Sequence, residues 1–154
     1  MLEMAALEAP VNRKQIMSKK NFYLLSFTWG LPITLVGLIV AGALVAVGYI
    51  PKRWGACFYF EVGEKWGGVN LGIIFLTRKN PSVYLRNHEH GHAIQNCYLG
   101  FIMPFVVCIP SATRYWYRTI RTKLGYKNKT AYDDIWFEGT ATKLGNRYVP
   151  LWNQ

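Results

Sequence analysis

The sequence predicts an α+β membrane protein, and two observations support this fold class. No charged residue occurs between positions 21 and 51, and positions 24–50 are almost wholly apolar. All three histidines fall between His88 and His92. We expect one transmembrane helix, a small β-hairpin or sheet, a histidine-bearing helix that continues into a re-entrant apolar segment, and a C-terminal helix that carries a third metal ligand.

The uncharged stretch sets the expected domain organisation. A helix of 27 residues is about 40 Å long, which exceeds the ~30 Å hydrocarbon core of a bilayer. Aromatic residues stand at both ends of this stretch, as they do at membrane interfaces. We therefore predict a basic N-terminal lead over 1–20, a transmembrane helix over 21–51 and a domain at the membrane surface over 52–154, which contains the histidines.

The net charge of +10 favours lipid rather than nucleic acid as the partner. The basic residues flank apolar segments, where cationic side chains meet anionic headgroups, and no recognisable nucleic-acid module accompanies them. Four lysines and arginines precede the apolar stretch and 14 follow it, which favours the cytoplasmic side for the domain over 52–154. The expected location is a cell membrane.

Residues 57–76 have the composition of strands. We predict a hairpin in which strands over 57–62 and 69–76 flank a turn at 63–68. A helix should begin near Ser82, with Asn80 or Ser82 as its cap.

The second apolar stretch, 97–112, gives at most ~24 Å of helix and is too short to cross a bilayer. We predict that it turns back near Pro104–Pro110. A polar connection over 113–129 and a last helix over 130–148 should follow. The alternative is a second membrane span.

The histidine window matches the pattern H-E-x-x-H. On a helix, His88 and His92 leave the same face one turn apart and can share one ion, whereas His90 points away. Zinc is the usual occupant of such a pair. Glu89 is placed to take a proton from a water that the metal activates.

A catalytic zinc site needs a third protein ligand, and the chain offers carboxylates and sulfurs. The three cysteines do not form a complete disulfide framework, and none is spaced for a cysteine-ligated metal. Glu138 lies on a probable helix, and the small residues after it would let that helix approach the histidines closely. The candidates are Asp133, Asp134 and Glu138, with Cys97 and Cys108 as poorer options.

The sequence resembles small bacterial membrane metallopeptidase-like proteins of the H-E-x-x-H gluzincin type. The resemblance covers about residues 55–147 and rests on three motifs: 66–72 (WGGVNLG), 88–95 (HEHGHAIQ) and Glu138-x-x-Ala141-x-x-Leu144-Gly145. It implies that His88, His92 and Glu138 bind zinc and that Glu89 is the general base. Thr142 departs from the family, which tends to carry Asp or Asn there, and this puts a supporting role for the position in doubt.

The expected activity is hydrolysis of peptide bonds in membrane proteins or hydrophobic peptides. Tyr132, Tyr148 and Arg147 are candidates to stabilise the developing oxyanion, and Asp134 is a candidate to orient a histidine. The strand near position 68 could add a substrate peptide to its edge. The alternatives are histidines that serve only as polar contacts at a membrane interface, zinc that serves only to hold the fold, and a non-catalytic subunit of a larger membrane assembly.

Overall fold

The computed structural model describes residues 16–153, and they form five α-helices and one small mixed sheet. The predicted α+β class is therefore confirmed. Most of the N-terminal lead, residues 1–15, lies outside the described residues. The helices are α1 (Lys19–Ser26), α2 (Leu31–Ala46), α3 (Val83–Leu99), α4 (Ile109–Lys123) and α5 (Trp136–Trp152), and the strands are β1 (Lys52–Trp54), β2 (Cys57–Glu61), β3 (Gly68–Leu71) and β4 (Ile74–Thr77).

The uncharged stretch is not one helix, so the prediction of a continuous helix over 21–51 is wrong. It contains most of α1 and all of α2, which meet at a bend of 89°. Pro32 lies in the first turn of α2, where its missing N–H costs nothing, and an α-helix continuing through it would lose a hydrogen bond. At this bend the carbonyl of Gly30 accepts two hydrogen bonds, one of 3.3 Å from the N–H of Thr34 and one of 3.0 Å from the side chain of Asn96.

No single helix of the described chain is long and apolar enough to cross a bilayer. Two bent pairs have the combined length and composition to do so: α1 with α2, and Val83–Ile102 with Pro104–Lys123.

The sheet pairs its strands differently from the prediction. Its order is β1-β2-β4-β3, with β2 and β4 parallel and the two outer pairs antiparallel. The predicted second strand, 69–76, is itself a hairpin, because the chain reverses at Gly72, where φ is +74°. The side chain of Asn70 holds this turn through hydrogen bonds to the N–H and carbonyl of Gly72.

The histidine helix α3 begins as predicted. The Ser82 hydroxyl caps it by accepting from the N–H of Leu85 at 3.2 Å. The helix ends at Leu99, and Gly100 follows with φ of +52°.

The chain bends by 117° at Met103, directly before Pro104, so the predicted turn near Pro104–Pro110 is found at the start of that range. Both prolines lie in the first turns of helical segments, a π-helical turn over Pro104–Cys108 and then α4. Proline is tolerated at such positions. The expected polar connection over 113–129 is also wrong, because α4 continues to Lys123.

The last helix, α5, is present as predicted but is shifted along the chain. It starts six residues later than predicted and runs to Trp152. It packs directly on α3, and glycines permit the close approach. A Cβ atom at Gly91 would overlap the backbone of Ala141, and one at Gly145 would overlap the backbone of Asn87. The small residues after Glu138 do, as predicted, let the two helices touch backbone to backbone.

Candidate metal centre

Two imidazoles and one carboxylate converge between α3 and α5. The Nε2 atoms of His88 and His92 are 3.2 Å apart. Oε2 of Glu138 lies 3.1 Å from the first and 3.3 Å from the second. All three side chains are buried, and together they could hold a metal ion.

The spacing of these three atoms fits a tetrahedral metal ion. Zinc–ligand bonds of about 2.0–2.2 Å give ligand–ligand separations of roughly 3.3–3.6 Å on a tetrahedron. The observed separations of 3.1–3.3 Å lie at or just below the lower end of that range. Small movements of the side chains would therefore accommodate an ion.

His92 is oriented by a hydrogen-bond chain that returns to α5. Its Nδ1 lies 2.7 Å from Oε1 of Gln95, and the Gln95 amide donates to the carbonyl of Phe137 at 2.7 Å. The Nδ1 proton is thereby placed on the side away from Glu138, which leaves Nε2 as the ligand atom. Gln95 was not among the predicted site residues, although a position three residues after His92 on the same helix lies on the same face.

His88 is oriented by a second chain, through Thr142 to Asp133. Its Nδ1 lies 2.8 Å from the Thr142 hydroxyl, which donates to Asp133 at 2.8 Å. The Tyr84 hydroxyl donates to the same carboxylate oxygen at 2.6 Å. The resemblance placed the role of position 142 in doubt, yet the threonine connects the imidazole to an aspartate.

Glu138 is held in its ionised form. Burial alone would raise the pKa of its carboxyl group, but the hydrogen bonds to His88 and His92 outweigh burial and leave the pKa below its usual range. The Ser111 hydroxyl, at the start of α4, donates to the other carboxylate oxygen. Sequence gave no signal for Ser111, because its contact with Glu138 depends on how α4 folds back.

Glu89 is buried beside the metal ligands, and its Oε2 atom has no hydrogen-bond partner among the described residues. Burial raises the pKa of this carboxyl group, although His92 and His88 oppose the shift. The carboxyl group lies against β3: a Cβ atom built on Gly68 would come within 2.5 Å of Oε1. The side chain of Asn70 donates to the backbone carbonyl of Glu89 at 3.0 Å, which ties β3 to α3.

Of the three candidate oxyanion donors, the structure brings only Tyr132 near the site. Its ring centroid is 6.2 Å from that of His88, and its hydroxyl is 3.5 Å from Ser111. Burial raises the pKa of Tyr132 to about 12, so the hydroxyl keeps its proton. Tyr148 instead lies in the hydrophobic core and accepts a hydrogen bond from the N–H of Met17, and Arg147 is exposed on α5.

The other candidates are used elsewhere. Asp134 accepts from the N–H of Ala131 at 2.8 Å and stabilises a turn rather than a histidine. Cys97 contacts Ser26 in the core, and Cys108 is half-buried beside Met103 and Val107. Both are free thiols outside the metal-ligand group.

His90 faces away from the metal ligands, as its helical position predicts. Its Nε2 accepts a hydrogen bond of 3.2 Å from the N–H of Ala56, and its ring stacks on Phe22. Burial lowers the pKa of His90 to about 3, which keeps the imidazole neutral.

No family model matches the chain, and neither a curated protein nor a solved structure shows significant similarity to it. The gluzincin-like resemblance therefore stays a prediction that rests on the quoted motifs and on the geometry of this site.

Proposed function

We propose that the protein is a zinc-dependent peptidase that cleaves peptide bonds in membrane proteins or hydrophobic peptides. The observation that carries this proposal is the buried, unpaired carboxylate oxygen of Glu89 beside three converging ligand atoms. A buried polar atom without a partner costs free energy, so its retention calls for a role. Accepting a proton from a reacting water is such a role.

Zinc is the metal that the donor set favours. Two imidazole nitrogens and one carboxylate oxygen are a usual ligand set for catalytic zinc, which keeps a fourth position open for water or substrate. When bound, the ion would supply Lewis acidity, which polarises a carbonyl group and lowers the pKa of a water.

The side chains around the ligands divide the remaining work. Glu89 would accept the proton of the attacking water, because its raised pKa lies nearer to neutrality than that of an ordinary glutamate. It would then return this proton to the leaving amine. Tyr132, which keeps its proton below a pH of about 12, would donate a hydrogen bond to the developing oxyanion.

The position of β3 supports a peptide as the substrate. This strand forms one edge of the sheet, and Gly68 at its start lies against the Glu89 carboxyl group. An extended peptide that paired with this edge would run past the proposed base. Val69, on the same strand, is 41% exposed and offers an apolar contact.

The alternative function is a non-catalytic membrane subunit that uses the metal to hold its fold. The exposed apolar residues of α2 favour it, because a surface of this kind is typical of proteins that work against a partner or lipid. Leu35, Val36, Ile39 and Val45 are each at least 47% exposed.

The substitution Glu89→Gln separates the two functions. It preserves the size of the side chain and leaves the three metal ligands intact, so zinc content and thermal stability should stay close to those of the wild type. Cleavage of a fluorogenic hydrophobic peptide library should fall by at least ~100-fold if Glu89 is the general base. The control is Glu64→Gln, because this exposed glutamate lies in the loop between β2 and β3 and, among the described residues, forms a salt bridge with Lys79 alone.

Two results would refute the peptidase proposal. In the first, the wild-type protein cleaves no peptide of the library; in the second, the Glu89→Gln variant cleaves as well as the wild type. If the wild-type protein cleaves no peptide but binds about one zinc ion per chain, the non-catalytic alternative is supported.

A further inference from the structure

Helix α4 carries a group of three arginines. Arg114, Arg118 and Arg121 are spaced four and three residues apart, so their side chains share one face of the helix. Among the residues that the structure describes, none of the three guanidinium groups has a carboxylate within salt-bridge distance.

The three arginines line an open cavity of about 290 Å³ between α4 and the segment that follows it. Arg118 donates to the carbonyl of Thr130 at 3.0 Å, and Arg114 donates to that of Ala131 at 2.9 Å. These bonds to neutral carbonyls hold the guanidinium groups in place and leave their charge uncompensated. Lys129, Asn128 and Tyr117 complete the lining. The cavity therefore has the donors and the charge that a phosphate group requires.

A different face of α4 is apolar and uncovered. Ile109, Trp116, Ile120 and Leu124, the last just beyond the helix end, recur at spacings of seven, four and four residues. Each of them is more than half exposed. None of the residues of α4 is buried in the described structure. A helix with an apolar stripe, aromatic residues and only basic charges is typical of the interface between a bilayer and water.

We propose that α4 docks on an anionic phospholipid surface, with the apolar stripe in the acyl boundary and a lipid phosphate in the arginine cavity. Charge complementarity selects this occupant, because an uncompensated basic cavity beside an apolar stripe matches a phosphate headgroup above acyl chains. The proposal does not depend on peptidase activity.

Docking through α4 would also place the metal centre at the lipid surface. Ser111 on this helix bonds to Glu138, and Arg114 bonds to the backbone of Tyr132 at 3.2 Å. The lipid-facing helix and the metal site are thus connected by two hydrogen bonds. The delivery of a membrane substrate to the site, unlike the docking itself, rests on the proposed function.

The test measures partition of the purified full-length chain into phosphatidylcholine vesicles with and without phosphatidylglycerol. The readout is the ratio of the two partition coefficients, which cancels apolar insertion common to both vesicles. In the double variant Arg118→Gln/Arg121→Gln this ratio should fall about 30-fold, from ~1 kcal/mol for each basic residue near an anionic surface. Trp116→Ser/Ile120→Ser should weaken binding to both kinds of vesicle.

Two controls separate the proposal from a general or structural effect of charge. Arg78→Gln/Lys79→Gln removes the same charge from the exposed end of β4 and should leave the ratio within about twofold of the wild type. Arg118→Lys/Arg121→Lys keeps the charge and should retain most of the preference for phosphatidylglycerol.

Three results would overturn the proposal. The first is a glutamine variant with an unchanged ratio, and the second is a lysine variant that loses the preference as fully as the glutamine variant does. The third is binding of inorganic phosphate by calorimetry without any preference for phosphatidylglycerol, which would assign the cavity to a soluble phosphate.

Discussion

Replacing Gly91 by alanine should disrupt the metal site without touching a ligand. A Cβ atom at this position would lie 2.5 Å from the carbonyl carbon and 2.9 Å from the Cα of Ala141. Ordinary contact begins at 3.4 Å. The carbonyl oxygen of Ala141 lies closer still, and all three obstructing atoms belong to the backbone of α5, so no rotamer change can relieve the overlap. The two helices must instead separate locally by roughly 1 Å or more.

That separation is large on the scale of metal coordination. Glu138 lies on α5 and the histidines lie on α3, so a 1 Å movement would stretch the present ligand separations of 3.1–3.3 Å beyond 4 Å. A tetrahedral zinc site accommodates only about 3.3–3.6 Å. We expect zinc affinity to fall by at least ~100-fold, and overpacking to destabilise the fold by about 1–3 kcal/mol.

Gly42→Ala in α2 is the matched control. Nothing lies within 4 Å of a Cβ atom at Gly42, so this substitution should stabilise the helix by up to ~1 kcal/mol and leave zinc affinity unchanged. Competitive zinc titration and thermal unfolding of the metal-free proteins measure both quantities. The reasoning is refuted if Gly91→Ala binds zinc as tightly as Gly42→Ala.

Three further predictions concern single side chains around the site. Thr142→Val removes the hydroxyl that connects His88 to a carboxylate, so zinc affinity should fall about 10- to 100-fold in a competition assay, whereas Thr142→Ser should retain it. Gly68→Ala crowds the Glu89 carboxyl group and should lower peptidase activity with zinc content unchanged; equal activity would contradict the proposed position of the base. The His90 pKa is lowered from 6.5 to about 3, so the unfolded chain binds the extra proton first and stability should decline as the pH falls from 6.5 towards 3. In the metal-free protein His90 should lower the free energy of unfolding by on the order of 4 kcal/mol over this pH range. Chemical denaturation at several pH values measures this loss, and the non-titrating His90→Gln variant should lose less stability over the same range.

The local parts of the site could be predicted from sequence, because helix geometry alone relates neighbouring residues. The spacing of His88 and His92 predicts two imidazoles on one face, and Ser82 predicts the start of their helix. The small residues near Ala141 indicated a close helix contact. The structure adds that Gly91 provides the other half of this contact.

The non-local parts could not be predicted in the same way. The run over 69–76 has the composition of one strand, yet the chain reverses at Gly72 and forms the antiparallel strands β3 and β4. Strand β4 then pairs in parallel with β2. Pairing of this kind depends on the other strands and on the helix beneath them. The hydrogen bond from Ser111 to Glu138 likewise requires the bend at Met103, which composition does not indicate.

The zinc-edge X-ray absorption spectrum of the purified chain, loaded with an equimolar amount of zinc, would test the metal centre most directly. The proposed site predicts two imidazole nitrogens and a carboxylate oxygen at about 2.0–2.2 Å, with no sulfur scatterer. Glu138→Gln should alter the oxygen shell and keep both imidazoles. A sulfur ligand at about 2.3 Å, or a spectrum with fewer than two imidazoles, would contradict a zinc site built from His88, His92 and Glu138.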